Sequence, residues 1–378
     1  MDRPLRIALV TSSYNFIADG VALTLNRLVG YLLTQGVAVR VFAPVAPTPA
    51  FAHQGEMVPV PSLPLPGRPE YRLAFGLGGT AKQALKDFQP DIIHIAVPDL
   101  LGHAALSFAE RHNIPVVATY HTRYETYLKH YWYMAPLEGL LTGILRRFYG
   151  RCREVYIPSD STRDALLADG LRDNFRPWPR GIDAIRFSPA RRSSDWRAVH
   201  GIGPDELVVL HVSRLVREKR LDTLTAALNG LRVPHRVVIV GDGPDRGFAE
   251  RELPQAIFTG FLAGEELATA YASSDLFIFP SDSESFGNVT LEAMASGLAC
   301  VCADATGSRS LVVDGETGFL ADASDAQAFT ARLTRLALDP ALRRRMGDAG
   351  RARALDFSWE ETLGRMLGYY RALLGAAA

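Results

Sequence analysis

Cysteine is scarce in this chain: three in 378 residues, Cys152, Cys300 and Cys302. An odd number without ligand spacing leaves no framework for disulfides or for structural zinc. Net charge is missing too, with 41 Lys and Arg against 41 Asp and Glu. No global field therefore draws the chain to nucleic acid. No run of about eighteen apolar residues is present to span a bilayer. The opening MDRPLRIALVTSS has neither the long apolar segment nor the cleavage site of a secretory signal. A Walker lysine loop, HExxH, GxSxG, CxxC and the GxGxxG fingerprint are all absent. Hydride transfer and metal-dependent hydrolysis both lose ground. These absences leave the expectation of a cytoplasmic protein that needs no metal and binds no nucleic acid.

What is present is an ordinary globular composition, 48% hydrophobic and 22% charged, in a chain long enough for two cores. Strand-like and helix-like stretches alternate, which predicts parallel sheets covered by helices. In the first half the strand candidates are 5–10, 38–43, 91–96, 114–119 and 154–157. Helices are expected over 21–34 and 100–112. The Pro-rich segment 58–72, VPVPSLPLPGRPEYR, reads as a long exposed loop. After Asp183 the texture turns polar, and a second alternating series follows, with strands at 207–212, 236–240, 256–258, 275–279 and 298–302. The reading is two Rossmann-like α/β domains, residues 1–185 and 186–356, joined near 184–200, with a closing helix over 357–378. SWEE within that last segment is a capping box, Ser358 the cap and Glu361 its partner.

Open parallel sheets bind ligands outside the carboxyl ends of their strands, and the suggestive motifs sit there. ESFGNVTLE, residues 284–292, follows an apolar strand and leads into a helix. A helix N-terminus offers free N–H groups and partial positive charge to a phosphate. A carboxylate accepts two hydrogen bonds at once, which suits paired sugar hydroxyls. Glu284 and Glu292 flanking such a terminus are what a nucleotide-sugar site needs. The plainer reading is one solvated acid and one helix-surface acid.

HVSRLVREKRLD, residues 211–222, places Arg214 and Lys219 on the turn after another strand, where two cations would neutralise a departing diphosphate. Arg217 and Arg220 read as a solvated basic turn. VGDGPDR offers Gly241 to a donor, or is simply a tight turn. The backbone of TGF, with Phe261, is placed to meet a nucleobase, or is a plain loop. In the first half Gly20 opens a helix where backbone can approach a donor closely. His121, in ATYHTRY, stands at a strand's carboxyl end; a lone His there is commonly structural. Asp282 and Glu284 within SDSES make a poor metal site. Residues 123–153 crowd Tyr124, Tyr127, Tyr131, Trp132 and Tyr133 ahead of Arg146, Arg147, Arg151 and Arg153. Leu140, Leu141, Ile144, Leu145 and Phe148 form an apolar helix face between them. That pattern fits either core packing or contact with an anionic membrane surface.

Together these motifs resemble the retaining family 4 glycosyltransferases of GT-B fold, along essentially the whole chain. The resemblance is strongest in ESFGNVTLEAMASGL, similar to the family's E-x7-E signature, and continues through SRLVREKRLD, VGDGP, VVDGETGFL and FSWEE. It implies two domains facing across a cleft, the N-terminal one for the acceptor and the C-terminal one for the donor, with the last helix crossing back. It implies that Glu284 meets the donor sugar, Glu292 the ribose diol, and Arg214 and Lys219 the diphosphate. Backbone at Phe286, Gly287, Asn288 and Val289 would line the site, Gly20 would approach the donor, and His121 would contact the transferred sugar. YHTRYETY, RGID and GNVTLEAMASG resemble the bacterial mannosyltransferase-like branch, which also resembles sulfoquinovosyl and glucuronosyl lipid enzymes. The expected reaction is metal-independent hexose transfer from GDP-mannose to a lipid or glycolipid, from a peripheral position on the inner membrane face. UDP-sugar donors, or a nucleotide-sugar epimerase of the same architecture, are the alternatives. Two departures stand out: Asp19-Gly20 where many relatives have Gly-Gly, and ATGSRS without the usual Gly-Gly pair.

Overall fold

In a computed structural model the chain is described over residues 3–16, 20–46, 48–65, 68–120, 138–284 and 286–375. It divides into two compact units, Met1–Trp178 with Leu363–Ala378, and Pro179–Thr362.

The first unit holds β1 (Arg6–Val10), β2 (Ala38–Ala43), β3 (Glu56–Pro59), β4 (Ser62–Leu65), β5 (Arg68–Ala74), β6 (Ile92–Ile95), β7 (Val116–Thr119), β8 (Glu154–Ile157) and β9 (Phe175–Pro177). Seven of these form one sheet in the order β3-β2-β1-β6-β7-β8-β9, every pair parallel. β6 and β7 are buried at every residue, as strands covered on both faces must be, so they read as unbroken apolar runs. The helix Gly20–Thr34 returns from β1 and buries Leu25, Leu28, Val29 and Leu32, one face at helical spacing. Asp99 caps the helix Leu100–Arg111 by accepting the Gly102 amide at 2.9 Å.

The Pro-rich stretch 58–72 is not the long loop that its composition predicts. It runs from β3 into an antiparallel hairpin of β4 and β5. Proline removes a ladder donor, so it survives in sheets at edges and bulges. Pro59 closes β3, the edge strand, and Pro64 sits where the β4–β5 register shifts.

The second unit carries β10 (Val208–Val212), β11 (Arg236–Val240), β12 (Ile257–Gly260), β13 (Leu276–Phe279), β14 (Ala299–Ala303) and β15 (Gly318–Ala321), all parallel, ordered β12-β11-β10-β13-β14-β15. Along β10, Val208, Leu210 and Val212 face one apolar cluster and Val209 another, so both sheet faces are covered. In each unit the strand order reverses beside the first strand, the doubly wound Rossmann arrangement. β9 and β15, three and four residues long, were not expected from the sequence.

The last helix, Trp359–Gly375, starts at a cap in which Ser358 Oγ accepts the Glu361 amide at 3.2 Å. From Leu363 it belongs to the first unit. Buried Tyr370 places its hydroxyl 2.6 Å from His94 Nδ1 on β6, and Tyr369 stacks on Tyr156 and donates to the Pro177 carbonyl at 3.0 Å. Burial drives the His94 pKa down to about 3, so the ring is neutral at ordinary pH. Among the described residues no helix is long and apolar enough to cross a membrane.

Candidate active site

β10 and β13 are neighbours at the point where the second sheet's strand order reverses, and ligands of doubly wound sheets bind at such a switch point. The turn leaving β10 carries Arg214, Lys219 and Arg220; the loop leaving β13 carries Asp282 and Glu284. Residues 65 positions apart thereby meet. Lys219 Nζ donates to Glu284 Oε1 and lies 3.3 Å from Ser283 Oγ. Their side chains are 19% and 28% exposed, so the pair is reachable from solvent. Arg214 is exposed and makes no side-chain hydrogen bond or ion pair with the described residues. It is a cation available to a ligand.

Behind the Lys219 turn, buried His211 joins the ends of the two strands. Its Nδ1 is 3.0 Å from the Ile278 carbonyl and its Nε2 2.7 Å from Ser213 Oγ. Burial lowers its pKa to about 4. A carbonyl only accepts, so in the neutral ring Nδ1 carries the proton and Nε2 is the acceptor facing the Ser213 hydroxyl.

Gly287 caps the helix Asn288–Ala295 with φ +90°, a left-handed conformation that favours glycine. The helix therefore begins with no capping side chain over the amides of Asn288 and Val289. The Phe286 ring is buried against Phe357, so only its backbone is left for a ligand. Glu292 lies on this helix, half-buried, with its Oε2 3.1 Å from the hydroxyl of fully buried Tyr271. Burial pushes its carboxyl up from 4.5 to about 7, partly offset by Tyr271 and the Arg186 charge. A carboxyl raised on folding binds more protons in the native state than in the unfolded chain. Stability should therefore fall as pH rises from about 4.5 through 7. Denaturant titrations should show this slope in the wild-type protein and a flatter one in Glu292→Gln.

Gly241 turns out of β11 at φ +128°, and a Cβ there would lie 1.8 Å from the Ser213 carbonyl. It lets the backbone leaving β11 lie directly against the β10 turn. Phe261, just after β12, is 79% exposed. Gly20 belongs to the first unit, exposed at the start of its helix. His121, Asp19 and the aromatic cluster from Tyr124 to Tyr133 lie outside the described residues.

Three contributors were not singled out from the sequence. Tyr271 holds Glu292. Gly307 lets the helix Thr306–Leu311 lie against the Glu284 loop, where a Cβ would come within 2.8 Å of Glu284 Cβ. Arg220 is not a merely solvated cation: its guanidinium holds Asp282, with Nε at 3.0 Å. Among the described residues no group of three or more His, Cys, Asp or Glu side chains could hold a metal ion.

Comparison with known proteins shows the family and the fold. Residues 18–186 match the family Glycosyltransferase Family 4, and residues 192–353 match Glycosyl transferases group 1. The GDP-mannose-dependent alpha-mannosyltransferase of Corynebacterium glutamicum is 33% identical over 372 residues, covering 97% of this chain and 89% of that protein. The sulfoquinovosyl transferase SQD2 of Arabidopsis thaliana is 31% identical over 372 residues, covering 95% of this chain and 72% of that one. The solved sucrose-phosphate synthase of Thermosynechococcus elongatus superposes with a TM-score of 0.78 at 23% identity, over 98% of this chain and all of that one. The chain belongs to the family 4 glycosyltransferases and has their GT-B fold. It is an enzyme that moves a sugar from a nucleotide-sugar donor to an acceptor.

Proposed function

We propose that the enzyme transfers a hexose with retention of configuration, mannose from GDP-mannose, to a lipid or glycolipid acceptor without a catalytic metal. The contact between Lys219 and Glu284 at the switch point carries this reading, because it puts a diphosphate partner and a sugar partner side by side. In the transfer, the bond from the anomeric carbon to the diphosphate oxygen breaks. Lys219 and Arg214 meet the charge growing on that oxygen, and Glu284 faces the sugar and steadies positive charge at the anomeric carbon. The acceptor hydroxyl attacks from the face the diphosphate leaves and gives its proton to a phosphate oxygen. Glu292, ionised above its raised pKa, accepts the ribose hydroxyls, while amides of Asn288 and Val289 face phosphate. Gly241 and Phe261 border the base.

GDP-mannose as donor rests on the corynebacterial relative, whose name specifies it. A UDP-sugar of glucose, glucuronate or sulfoquinovose type is the second reading, and the sulfoquinovosyl relative supports the last of these sugars. A lipid acceptor is supported by the helix Glu138–Gly150. Its Leu145 and Phe148 are buried, whereas Leu140 and Ile144 are 64% and 42% exposed, with Arg147 one turn on. An outward stripe of apolar residues ending in a cation suits the headgroup region of an anionic bilayer. One assay tests the reading: GDP-mannose, UDP-glucose and UDP-glucuronate, each with lipid acceptor in anionic vesicles and excess EDTA. GDP-mannose should be consumed fastest and its sugar should enter the lipid fraction. Preferential use of a UDP-sugar would replace the donor, and dependence on added manganese would end the metal-free reading.

A further inference from the structure

The two loops that bring Lys219 to Glu284 are joined by a second ion pair one residue further along. Arg220 Nε and Nη2 reach Asp282 Oδ2 at 3.0 and 2.5 Å. Between the two pairs, Ser283 Oγ donates to the Glu218 carbonyl at 3.2 Å. Residues 218–220 thus face residues 282–284 through three successive contacts. Arg220 also occupies a conformation that favours glycine, φ +54° and ψ +50°. Its amide closes the turn Arg217–Lys219 by donating to the Arg217 carbonyl at 2.9 Å. Its own carbonyl accepts the Leu224 amide of the helix Leu221–Gly230, also at 2.9 Å. A glycine would take this backbone without strain but could not reach Asp282. The guanidinium contact with Asp282 therefore offsets the conformational cost of a non-glycine residue here.

A task for that contact follows from a conflict in the site, and here the argument rests on the donor reading above. Lys219 is bound to Glu284, whereas the donor asks Lys219 to take the diphosphate and Glu284 to take the sugar. Once both turn to the donor, their mutual pair no longer joins the loops. We propose that Arg220 and Asp282 are positioning residues: a latch that keeps the β10 turn and the β13 loop in register while Lys219 and Glu284 exchange partners. Both lie at the exposed end of the ladder, 39% and 36% open, and neither is needed by the diphosphate or the sugar.

The test compares wild type, Arg220→Gly, Asp282→Asn, the double variant and the swap Arg220→Asp with Asp282→Arg. Hydrogen exchange on the free proteins reads the latch without any ligand. Amides of residues 218–220 and 282–284 should exchange up to about fivefold faster in each single variant, no faster again in the double, and more slowly in the swap than in either single variant. In parallel, GDP and UDP are titrated into each protein. A nucleotide that binds wild type should bind Arg220→Gly several-fold more weakly, with the swap recovering part of the loss. Unchanged exchange in both single variants overturns the latch. Faster exchange with unchanged nucleotide affinity overturns its positioning role. Failure of wild type to bind either nucleotide overturns the donor reading instead, and the exchange data still decide whether the latch exists.

Discussion

Replacing Glu284 with alanine should lower sugar transfer by about 100- to 1,000-fold, the usual loss when one preorganised electrostatic partner of the transition state is removed. The fold should survive. Glu284 and Lys219 are 28% and 19% exposed, and an ion pair open to water contributes only about 0–1 kcal/mol. Nucleotide binding gives a sharper signature. Glu284 pairs with Lys219, so it competes with any diphosphate for that cation. Glu284→Ala should therefore bind GDP or UDP as well as the wild type does, or better, while turnover collapses. Lys219→Ala should do the reverse at the binding step and lose affinity for the bare nucleotide. Single-turnover kinetics and calorimetry separate the two variants. Near-normal turnover in Glu284→Ala would remove that carboxylate from the reaction.

The legible part of this site is the part written in strand ends. Arg214, Lys219 and Glu284 stand just beyond apolar runs, and a parallel sheet gathers the carboxyl ends of its strands at one edge. The meeting of Lys219 with Glu284 could be read before any pairing was known. Arg220 could not be read that way, because its left-handed backbone angle leaves no mark in composition. Tyr271 was hidden for a different reason: an aromatic among alanines on a helix reads as core, and it is core, yet its hydroxyl reaches Glu292. The hairpin of β4 and β5 was masked by its prolines, which argue for a loop unless edges and bulges are anticipated. The strand β9, three residues long, is too short for periodicity to register.

Gly241→Ala should produce the largest loss of stability near the site, and its contrast with Gly20→Ala separates glycines kept for the fold from glycines kept for a ligand. Gly241 donates its amide to the Gly260 carbonyl at 2.8 Å, with φ +128°. An added Cβ would sit 1.8 Å from the Ser213 carbonyl oxygen, which is backbone and cannot rotate aside. Ser213 is itself held, its amide donating to the Val240 carbonyl at 3.1 Å. The β10 turn would have to move, carrying Arg214 and Lys219 with it. Strain and overpacking together should cost roughly 3 kcal/mol or more, which for a unit of this size lowers Tm by about 6–12 °C. Gly20 meets none of these conditions. No described atom lies within 4 Å of a Cβ built there, and its φ is not in the left-handed region. Alanine at Gly20 should leave the melting temperature unchanged or slightly higher. If backbone there lies against the donor, Gly20→Ala should still raise the donor KM several-fold. Equal kinetics for Gly20→Ala and wild type would take Gly20 out of the donor site, and an unshifted melt for Gly241→Ala would show that the β10 turn yields where its backbone contacts say it cannot.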